Sequence, residues 1–417
     1  SAMKQIKRKT TTQYVTKATW KVGQQINELL HKLPKLDKIF DVHRKIGEGT
    51  FSSVYLGSLK QHAGLTEAEK PWFAIKHLVP TAHPARIEHE LRCLQEMGGK
   101  HNVIGVELCL RHLDTIVFVM PYIPHRKFSV SIYMDAEEVR QYMRALMIAL
   151  KHVHSFGVIH RDVKPSNFLY DRENKRYLLV DFGLAQRVCE EPAPPPAHLP
   201  APPAPPTPPP PPAHWRGGAG AGGGCACAGA GGVCGACLAR GGARAPRAGT
   251  QGFRPPEVLL KSPRQGAAVD AWAAGVVLAS ALAARYPLLR APDDAAALAE
   301  LADLLGRRLV TSSHRRGICL RKLVARLRGA APAPATAPAP PCAHCRLPLD
   351  GCLCLDDTRI TPGVTIAGFP DSAFALAARL LDPDPRTRIS AAEALEHPFL
   401  AHPVTPAAPH TTSSDHL

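Results

Sequence analysis

The sequence lacks any long apolar run and has too few acidic residues to balance its basic ones. No stretch of about 18 apolar residues occurs and the first residues are polar and basic, so we expect neither a membrane-spanning helix nor secretion. The 35 Asp and Glu residues face 51 Lys and Arg residues, which gives a formal net charge of +16. Such a charge indicates an acidic partner. Because the basic residues are spread along the chain, we do not expect that partner to be a specific nucleic acid sequence.

Large apolar side chains are nearly absent from residues 191–224, which consist almost entirely of Pro, Ala and Gly. Such a segment cannot bury a core, so we expect it to be disordered or PPII-like. A second Ala-Pro stretch covers residues 330–341, and helical patterns resume after each stretch. We therefore divide the 417 residues into an extension at 1–39, an N-terminal lobe at 40–120, a C-terminal lobe at 121–400 with insertions at about 188–245 and 328–358, and a tail at 401–417.

Strand-like runs come first and helical patterns follow, which predicts an α+β protein with a β-rich N-lobe and a helical C-lobe. Within residues 40–120, one helical stretch lies near Arg86 to Met97, and period-two patterns predict strands over Val42 to Ile46, Ser53 to Leu59, Trp72 to Leu78 and Thr115 to Met120. Ahead of them, apolar residues recur at helical spacing over 22–33, just before Pro34. This spacing predicts a helix on the edge of the N-lobe.

A glycine-bearing segment runs from Ile46 to Val54, between the first two strand-like runs. Gly47 and Gly49 allow backbone N–H groups to approach phosphates, and Ser52 stands where a third glycine is usual. Its place between two strands predicts a hairpin over phosphates and not the strand-to-helix turn of a dinucleotide fold. Alone, the segment fits an ordinary hairpin equally well. Val54 is expected to pack on an adenine ring.

The next strand carries a candidate ATP-binding lysine. The segment from Phe73 through Ala74 to Lys76 matches the strand whose lysine ammonium contacts the α- and β-phosphates. A lysine at a strand end is often only a surface residue, so the assignment of Lys76 requires an acidic partner on the following helix. Glu90 flanks the apolar stripe of that helix more closely than Glu88 does, and it is the predicted partner.

The most specific motif runs from His160 to Asn167 and is followed by an Asp-Phe-Gly triplet that begins at Asp181. In this pattern Asp162 orients the substrate hydroxyl and accepts its proton, and Lys164 neutralises charge on the transferring phosphoryl group. Asn167 and Asp181 hold magnesium ions. A lysine two residues after the base favours serine or threonine as the acceptor. Thr250, in a downstream Gly-Thr-Gln-Gly-Phe-Arg segment, is expected to hydrogen-bond near Asp162 and Lys164.

These motifs resemble the protein kinase family over Phe40 to Phe399. The glycine segment, Met120 to Tyr122, His160 to Tyr170, Val180 to Gln186 and residues 245–250 resemble the cell-division-cycle-seven kinases in particular. The resemblance assigns nucleotide contacts to Ile46, Gly47, Gly49, Val54, Ala74, Lys76, Glu90, Met120 and Tyr122. It further implies a nuclear serine/threonine kinase that promotes DNA replication in the cell cycle by phosphorylating the minichromosome maintenance helicase. Such a kinase uses ATP and Mg²⁺ and depends on a DBF-type regulatory subunit.

The resemblance also implies a preference for acidic or phosphorylated residues just after the acceptor. Guanidinium forks suit such groups, and the segment that faces this position carries Arg240, Arg244, Arg247 and Arg254. A solvated basic loop is the alternative interpretation. The sequence departs from the family in its Pro-, Ala- and Gly-rich insertion and in having Pro255 before Pro256 and Glu257, where Ala is usual. Neither departure removes a catalytic group.

Eight of the twelve cysteines fall into two clusters. The first comprises Cys225, Cys227, Cys234 and Cys237, set among glycines, and its spacing predicts a tetrahedral Zn²⁺ site. It resembles a zinc site in the same insertion of the related kinases. The second comprises Cys342, Cys345, Cys352 and Cys354, with His344 as a spare ligand. For this cluster, zinc and a metal-free cysteine-rich insert are both compatible with the sequence.

Two alternatives remain. A pseudokinase scaffold would bind partners without catalysis, but no residue that phosphotransfer needs is missing. Another acidophilic serine/threonine kinase would share the motifs without the regulatory subunit.

The mode of activation is indicated by a shortage of hydroxyl groups. Between Asp181 and Thr250 the only side-chain hydroxyl belongs to Thr207, so the segment offers few sites for an activating phosphorylation. We therefore expect activation by a bound protein that positions the helix of Glu90.

Overall fold

The described residues form a β-sheet lobe followed by a largely helical lobe, which confirms the predicted α+β bilobal fold. The computed structural model describes residues 20–49, 51–79, 84–125, 128, 134–188, 249–262, 265–305 and 368–402. The predictions for the proline-rich stretches, for both cysteine clusters and for the C-terminal tail after residue 402 lie outside these residues. In the part of the chain that is described, no helix combines the length and apolar character needed to cross a membrane.

The N-lobe is a five-stranded antiparallel sheet in the order β1-β2-β3-β5-β4. Its elements are β1 (Phe40–Glu48), β2 (Ser52–Leu59), β3 (Trp72–Leu78), helix α3 (Pro84–Met97), β4 (Leu108–His112) and β5 (Thr115–Pro121). Strand β4 was not predicted from the sequence. It is five residues long with only Leu110 buried, which is too little for a period-two pattern to stand out.

Two helices precede the sheet and pack on it. Helix α1 covers residues 20–32, and α2 (Pro34–Ile39) follows directly. The buried side chains of Leu29 and Leu33 join one apolar cluster with Tyr55 of β2, Ile75 of β3 and Val117 of β5. The helical spacing over 22–33 therefore marks a helix that covers one face of the sheet and is part of the lobe.

The C-lobe is built around α4 (Ala136–Ser155) and α6 (Ala268–Leu282). Asp135 caps α4 by accepting a hydrogen bond from the Glu138 N–H at 2.7 Å, and Gly157 follows the helix with a φ of +65°. The other elements are β6 (Val158–Ile159), β7 (Phe168–Asp171), β8 (Arg176–Leu179), β9 (Gln186–Arg187), α5 (Pro256–Leu259), α7 (Asp294–Leu305), α8 (Asp371–Leu380), α9 (Ala391–Leu395) and α10 (Pro398–Ala401). The two short β ladders, β6 with β9 and β7 with β8, hold the segments that carry the catalytic motifs.

Candidate active site

Three charged side chains meet between the two lobes. The Lys76 Nζ lies 2.5 Å from Glu90 Oε1 and 2.8 Å from Asp181 Oδ1. Burial opposes the positive charge of Lys76, but attraction to Glu90 and Asp181 outweighs it and raises the lysine pKa. Burial also opposes the charge of Asp181, yet the nearby Lys76 lowers its pKa overall. The lysine is therefore protonated and the aspartate ionised at neutral pH. The alternative partner, Glu88, pairs with Arg92 at 3.2 Å on the outside of α3.

One face of the sheet supplies the candidate adenine contacts. In the register of the sheet, Val54 lies opposite Lys76, and Ala74 lies opposite Met120. Because side chains alternate along a strand, Ala74 and Lys76 share a face of β3, and their cross-strand neighbours point the same way. Met120 is buried, and Tyr122 after β5 donates its N–H to the Trp72 carbonyl oxygen at 3.0 Å. Of the predicted nucleotide residues, Val54, Ala74, Lys76 and Met120 thus share one face of the sheet.

The glycine hairpin between β1 and β2 extends this face. A Cβ at Gly49 would approach no atom closer than 3.7 Å, so packing within the protein does not demand a glycine there. The missing side chain leaves open space of the kind that a phosphate group needs. In this conformation the Gly49 N–H donates to the Ser52 carbonyl oxygen at 2.8 Å and closes the turn. The predicted approach of this N–H to a phosphate therefore requires the turn to open.

The two carboxylate oxygens of Asp162 have different partners. Oδ1 accepts hydrogen bonds from the Thr250 N–H at 2.9 Å and from the Thr250 hydroxyl at 2.6 Å. Oδ2 accepts from the Asn167 side-chain amide at 2.9 Å and lies 2.9 Å from Lys164 Nζ. Lys164 also donates to the Thr250 hydroxyl at 2.7 Å. The structure brings together all four residues that the sequence assigned to catalysis, and it fixes the orientation of the candidate base.

A buried aspartate of α6 holds the loop that carries Asp162. The carboxylate of Asp270 accepts the N–H groups of His160 and Arg161, each at 2.8 Å, and contacts His154 Nε2 at 2.9 Å. Arg161 has a φ of +67°, which is unfavourable for a residue with a side chain. Burial opposes the charge of Asp270, but the hydrogen bond from His154 lowers its pKa overall. The carboxylate stays ionised and can offset the cost of the strained loop.

The oxygen atoms near Asp181 suit a magnesium ion. The Asp181 side chain is 46% exposed, although its position between the lobes removes enough water for burial to oppose its charge. Asn167 uses its NH₂ group on Asp162, which leaves its amide oxygen as a ligand. Among the described residues there is no cluster of three or more His, Cys, Asp or Glu side chains that could hold a metal. A carboxylate and an amide oxygen are sufficient here, because Mg²⁺ bound with a nucleotide takes its other ligands from phosphates and water.

Not all of the predicted residues can be placed. The eight clustered cysteines lie outside the described residues, as do Arg240, Arg244 and Arg247. Arg254 is described: it lies 2.6 Å from Asp294 of α7 and donates to the Gly249 carbonyl oxygen at 2.9 Å. It already has an acidic partner within the chain.

One functional candidate was missed in the sequence. Arg86, in the first turn of α3, donates from Nε to the Gly183 carbonyl oxygen at 2.5 Å. Its guanidinium carbon lies 4.3 Å from the centre of the Phe51 ring, at the tip of the glycine hairpin. The available signal was its spacing, because Arg86 precedes Glu90 by four residues and so shares its face of the helix.

The comparisons with known proteins agree with this geometry. A family model described as "Protein kinase domain" matches residues 40–197 and 235–400. A Drosophila melanogaster non-specific serine/threonine protein kinase is 36% identical over 93% of this chain and 72% of its own length. A second Drosophila protein, the non-specific serine/threonine protein kinase Cdc7, is 33% identical over 91% of this chain and 77% of its own length. The human cell division cycle 7-related protein kinase is 31% identical over 91% of this chain and 92% of its own length.

The geometry of the motifs, the family match and the similarity over more than nine tenths of the chain therefore lead to one assignment. The chain combines three features: a candidate base whose oxygens are oriented by hydrogen bonds, a lysine that pairs with both Glu90 and Asp181, and a sheet face suited to adenine. The similar proteins are named as kinases. The chain belongs to the protein kinase family, as a non-specific serine/threonine kinase of the cell division cycle 7 type.

Proposed function

We propose that this kinase transfers the γ-phosphoryl group of ATP to serine or threonine residues followed by acidic side chains, and that it thereby promotes the initiation of DNA replication. The observation that carries the proposed phosphoryl transfer is the environment of Asp162, because each of its two carboxylate oxygens accepts hydrogen bonds from neighbouring residues. The acceptor hydroxyl loses its proton to Asp162 as its oxygen attacks the γ-phosphorus, and the bond from that phosphorus to the β,γ-bridging oxygen breaks so that ADP leaves. Lys164 offsets the negative charge on the transferring group.

The nucleotide-binding residues have separate tasks in this proposal. Lys76 holds the α- and β-phosphates, while Glu90 keeps the lysine side chain in position. Asp181 and Asn167 are the residues that would hold Mg²⁺, which neutralises phosphate charge when bound. Val54, Ala74 and Met120 present apolar surface to the adenine. Each residue thus binds, orients or accepts a proton, and the chain itself forms no covalent intermediate.

Charge supports the acidic preference. The net charge of +16 favours association with acidic proteins, and minichromosome maintenance helicase subunits are the substrates we propose. Arg254 is the described member of the predicted arginine group, and it pairs with the carboxylate of Asp294 at 2.6 Å within the chain. An acidic residue of the substrate would compete for it.

We further propose a DBF-type activating subunit and a nuclear location for this kinase. Two relatives are named as Cdc7 kinases, and few hydroxyls are available for activation by phosphorylation between Asp181 and Thr250. A bound protein that holds α3 in place would serve the same purpose, because α3 carries Glu90.

We also propose zinc sites in the insertions. Cys225, Cys227, Cys234 and Cys237 have the spacing of a four-thiolate site, and the second cluster at 342–354 repeats this spacing in reverse order. Metal analysis of the purified chain should find zinc, and replacing Cys225 and Cys227 with serine should remove about one equivalent. A chain that is free of zinc when purified without chelators would refute this proposal.

The function is tested with a peptide that has serine followed by Asp and Glu, incubated with MgATP and the purified chain. The assay is run with and without the DBF-type subunit, and with Asp162→Asn as the control. Activity that requires the subunit and disappears in Asp162→Asn supports a subunit-dependent kinase whose base is Asp162. Equal activity without the subunit would place the enzyme among general acidophilic kinases. No activity under either condition would favour the pseudokinase scaffold.

A further inference from the structure

Arg86 connects two segments that border the nucleotide cleft. Its Nε donates to the carbonyl oxygen of Gly183, directly after Asp181 and Phe182, at 2.5 Å. Its guanidinium group also lies over the ring of Phe51, 4.3 Å from the ring centre. Phe51 stands at the tip of the glycine hairpin, and Gly183 belongs to the magnesium-binding segment. The Arg86 side chain therefore contacts both the glycine hairpin and the segment that carries Asp181.

The same side chain is tied to the central ion pair through its helix. Arg86 and Glu90 are four residues apart on α3, so both project from one face towards the cleft. Glu90 holds Lys76, and Lys76 holds Asp181. A shift of α3 would therefore affect the lysine pair, the Gly183 contact and the Phe51 contact together.

Phe51 is 42% exposed and does not belong to the buried apolar core. In this structure the guanidinium of Arg86 covers one face of the ring. A cation placed over an aromatic face is attracted to it, and an arginine can stack there while its Nε donates elsewhere.

We propose that Arg86 is a positioning residue that holds the glycine hairpin closed over the nucleotide and makes closure depend on the inward position of α3. The contact to Phe51 closes the hairpin, and the contact to Gly183 aligns the segment of Asp181. Loss of either contact leaves Asp162, Lys164 and Thr250 intact. The defect should therefore lie mainly in nucleotide binding and less in the chemical step.

The first test needs no nucleotide and no activity. Amide hydrogen exchange is measured on the full-length chain for residues 46–48 and 52–54, in the wild type, Arg86→Ala and Phe51→Leu. Both variants should exchange faster at the hairpin, while exchange in α4 and α6 stays unchanged. Arg92→Ala is the matched control, because Arg92 lies on the same helix and pairs with Glu88 on the outer side. It should match the wild type.

The second test is calorimetric titration with MgATP. Arg86→Ala should weaken binding about tenfold, since a hydrogen bond from a charged group is lost, and Phe51→Leu about threefold, since only the cation–π contact is lost. The double variant should bind no more weakly than Arg86→Ala, because both single changes remove a shared contact. Arg86→Lys should recover part of the loss, because it keeps a cation near the ring but has no planar fork.

Kinetics then separate positioning from a general structural defect. In the peptide assay, Arg86→Ala should raise the KM for ATP about tenfold and lower kcat by less than the KM changes. Three results would overturn the proposal: hairpin exchange in Arg86→Ala equal to that of Arg92→Ala, strictly additive losses in the double variant, or a lower kcat with an unchanged KM for ATP. If Arg86→Ala does not fold, the same measurements are made on Arg86→Lys and Phe51→Leu.

Discussion

At the level of single residues, catalysis by this kinase depends on the hydrogen-bond partners of the two Asp162 carboxylate oxygens. Thr250 donates twice to Asp162 Oδ1, and Asn167 and Lys164 contact Oδ2. This arrangement fixes the side chain before any substrate arrives, which lowers the entropic cost of proton transfer. Thr250 contributes without touching phosphate, because its hydroxyl connects the base to Lys164.

Replacing Thr250 with Ala should lower kcat about 10- to 100-fold, because the hydroxyl bonds to two charged groups. Thr250→Ser keeps the hydroxyl and should retain most of the activity. Steady-state kinetics on the acidic peptide measure both variants, with the KM for ATP expected to stay near the wild-type value. Equal activity in Thr250→Ala and the wild type would show that Asp162 needs no such support.

The pairing of Arg254 with Asp294 leads to a prediction about substrate preference. Asp294→Asn removes the carboxylate that holds Arg254 within the chain. The KM for the acidic peptide should then fall about two- to fivefold, because the arginine is released to a substrate carboxylate. The KM for a matched peptide with Gln in the acidic positions should not change. A higher KM for the acidic peptide would instead show that Asp294 orients Arg254 for substrate.

At the level of elements, the sequence predicted the strands and helices that have a clear apolar periodicity. Strands β1, β2, β3 and β5, as well as α3 and α4, follow apolar patterns long enough to read, and the helical spacing over 22–33 corresponds to α1. Strand β4 and the short ladder of β6 with β9 escaped prediction, since their few residues are fixed by pairing with distant segments. The contact between Arg86 and Phe51 escaped for the same reason, because it joins two elements that no local pattern connects.

Helix α1 should contribute substantially to the stability of the N-lobe. Leu33, which directly follows the last residue of α1, is fully buried against the sheet, so Leu33→Ala should cost about 2–5 kcal/mol of unfolding free energy. Trp20 lies at the other end with 68% exposure, and Trp20→Ala should cost less than about 0.5 kcal/mol. Urea denaturation measures both variants. Similar losses in the two would indicate that α1 is only loosely held on the sheet.

At the level of the whole molecule, one buried ion pair joins distant parts of the C-lobe. Arg388, after α8, lies 2.7 Å from Glu257 of α5, although 131 residues separate them in the sequence. No local sequence pattern connects these two residues or predicts the arginine's other contacts. Arg388 also donates to the Ala268 carbonyl oxygen at 2.7 Å and stacks on Trp272, with its guanidinium carbon 5.0 Å from the ring centre.

These contacts fasten α5 to α6, and α5 directly follows the segment that carries Thr250. Removing the cation by Arg388→Ala would leave the Glu257 carboxylate buried without its partner, so the variant should lose about 3–5 kcal/mol of unfolding free energy. The matched control is Arg386→Ala, two residues earlier, whose side chain is 80% exposed and pairs with Asp384 at 2.8 Å; its loss should stay below about 1 kcal/mol. Thermal unfolding compares the two variants. If Arg388→Ala proves as stable as Arg386→Ala, α5 must be held by apolar packing, and the ion pair contributes little to the position of Thr250.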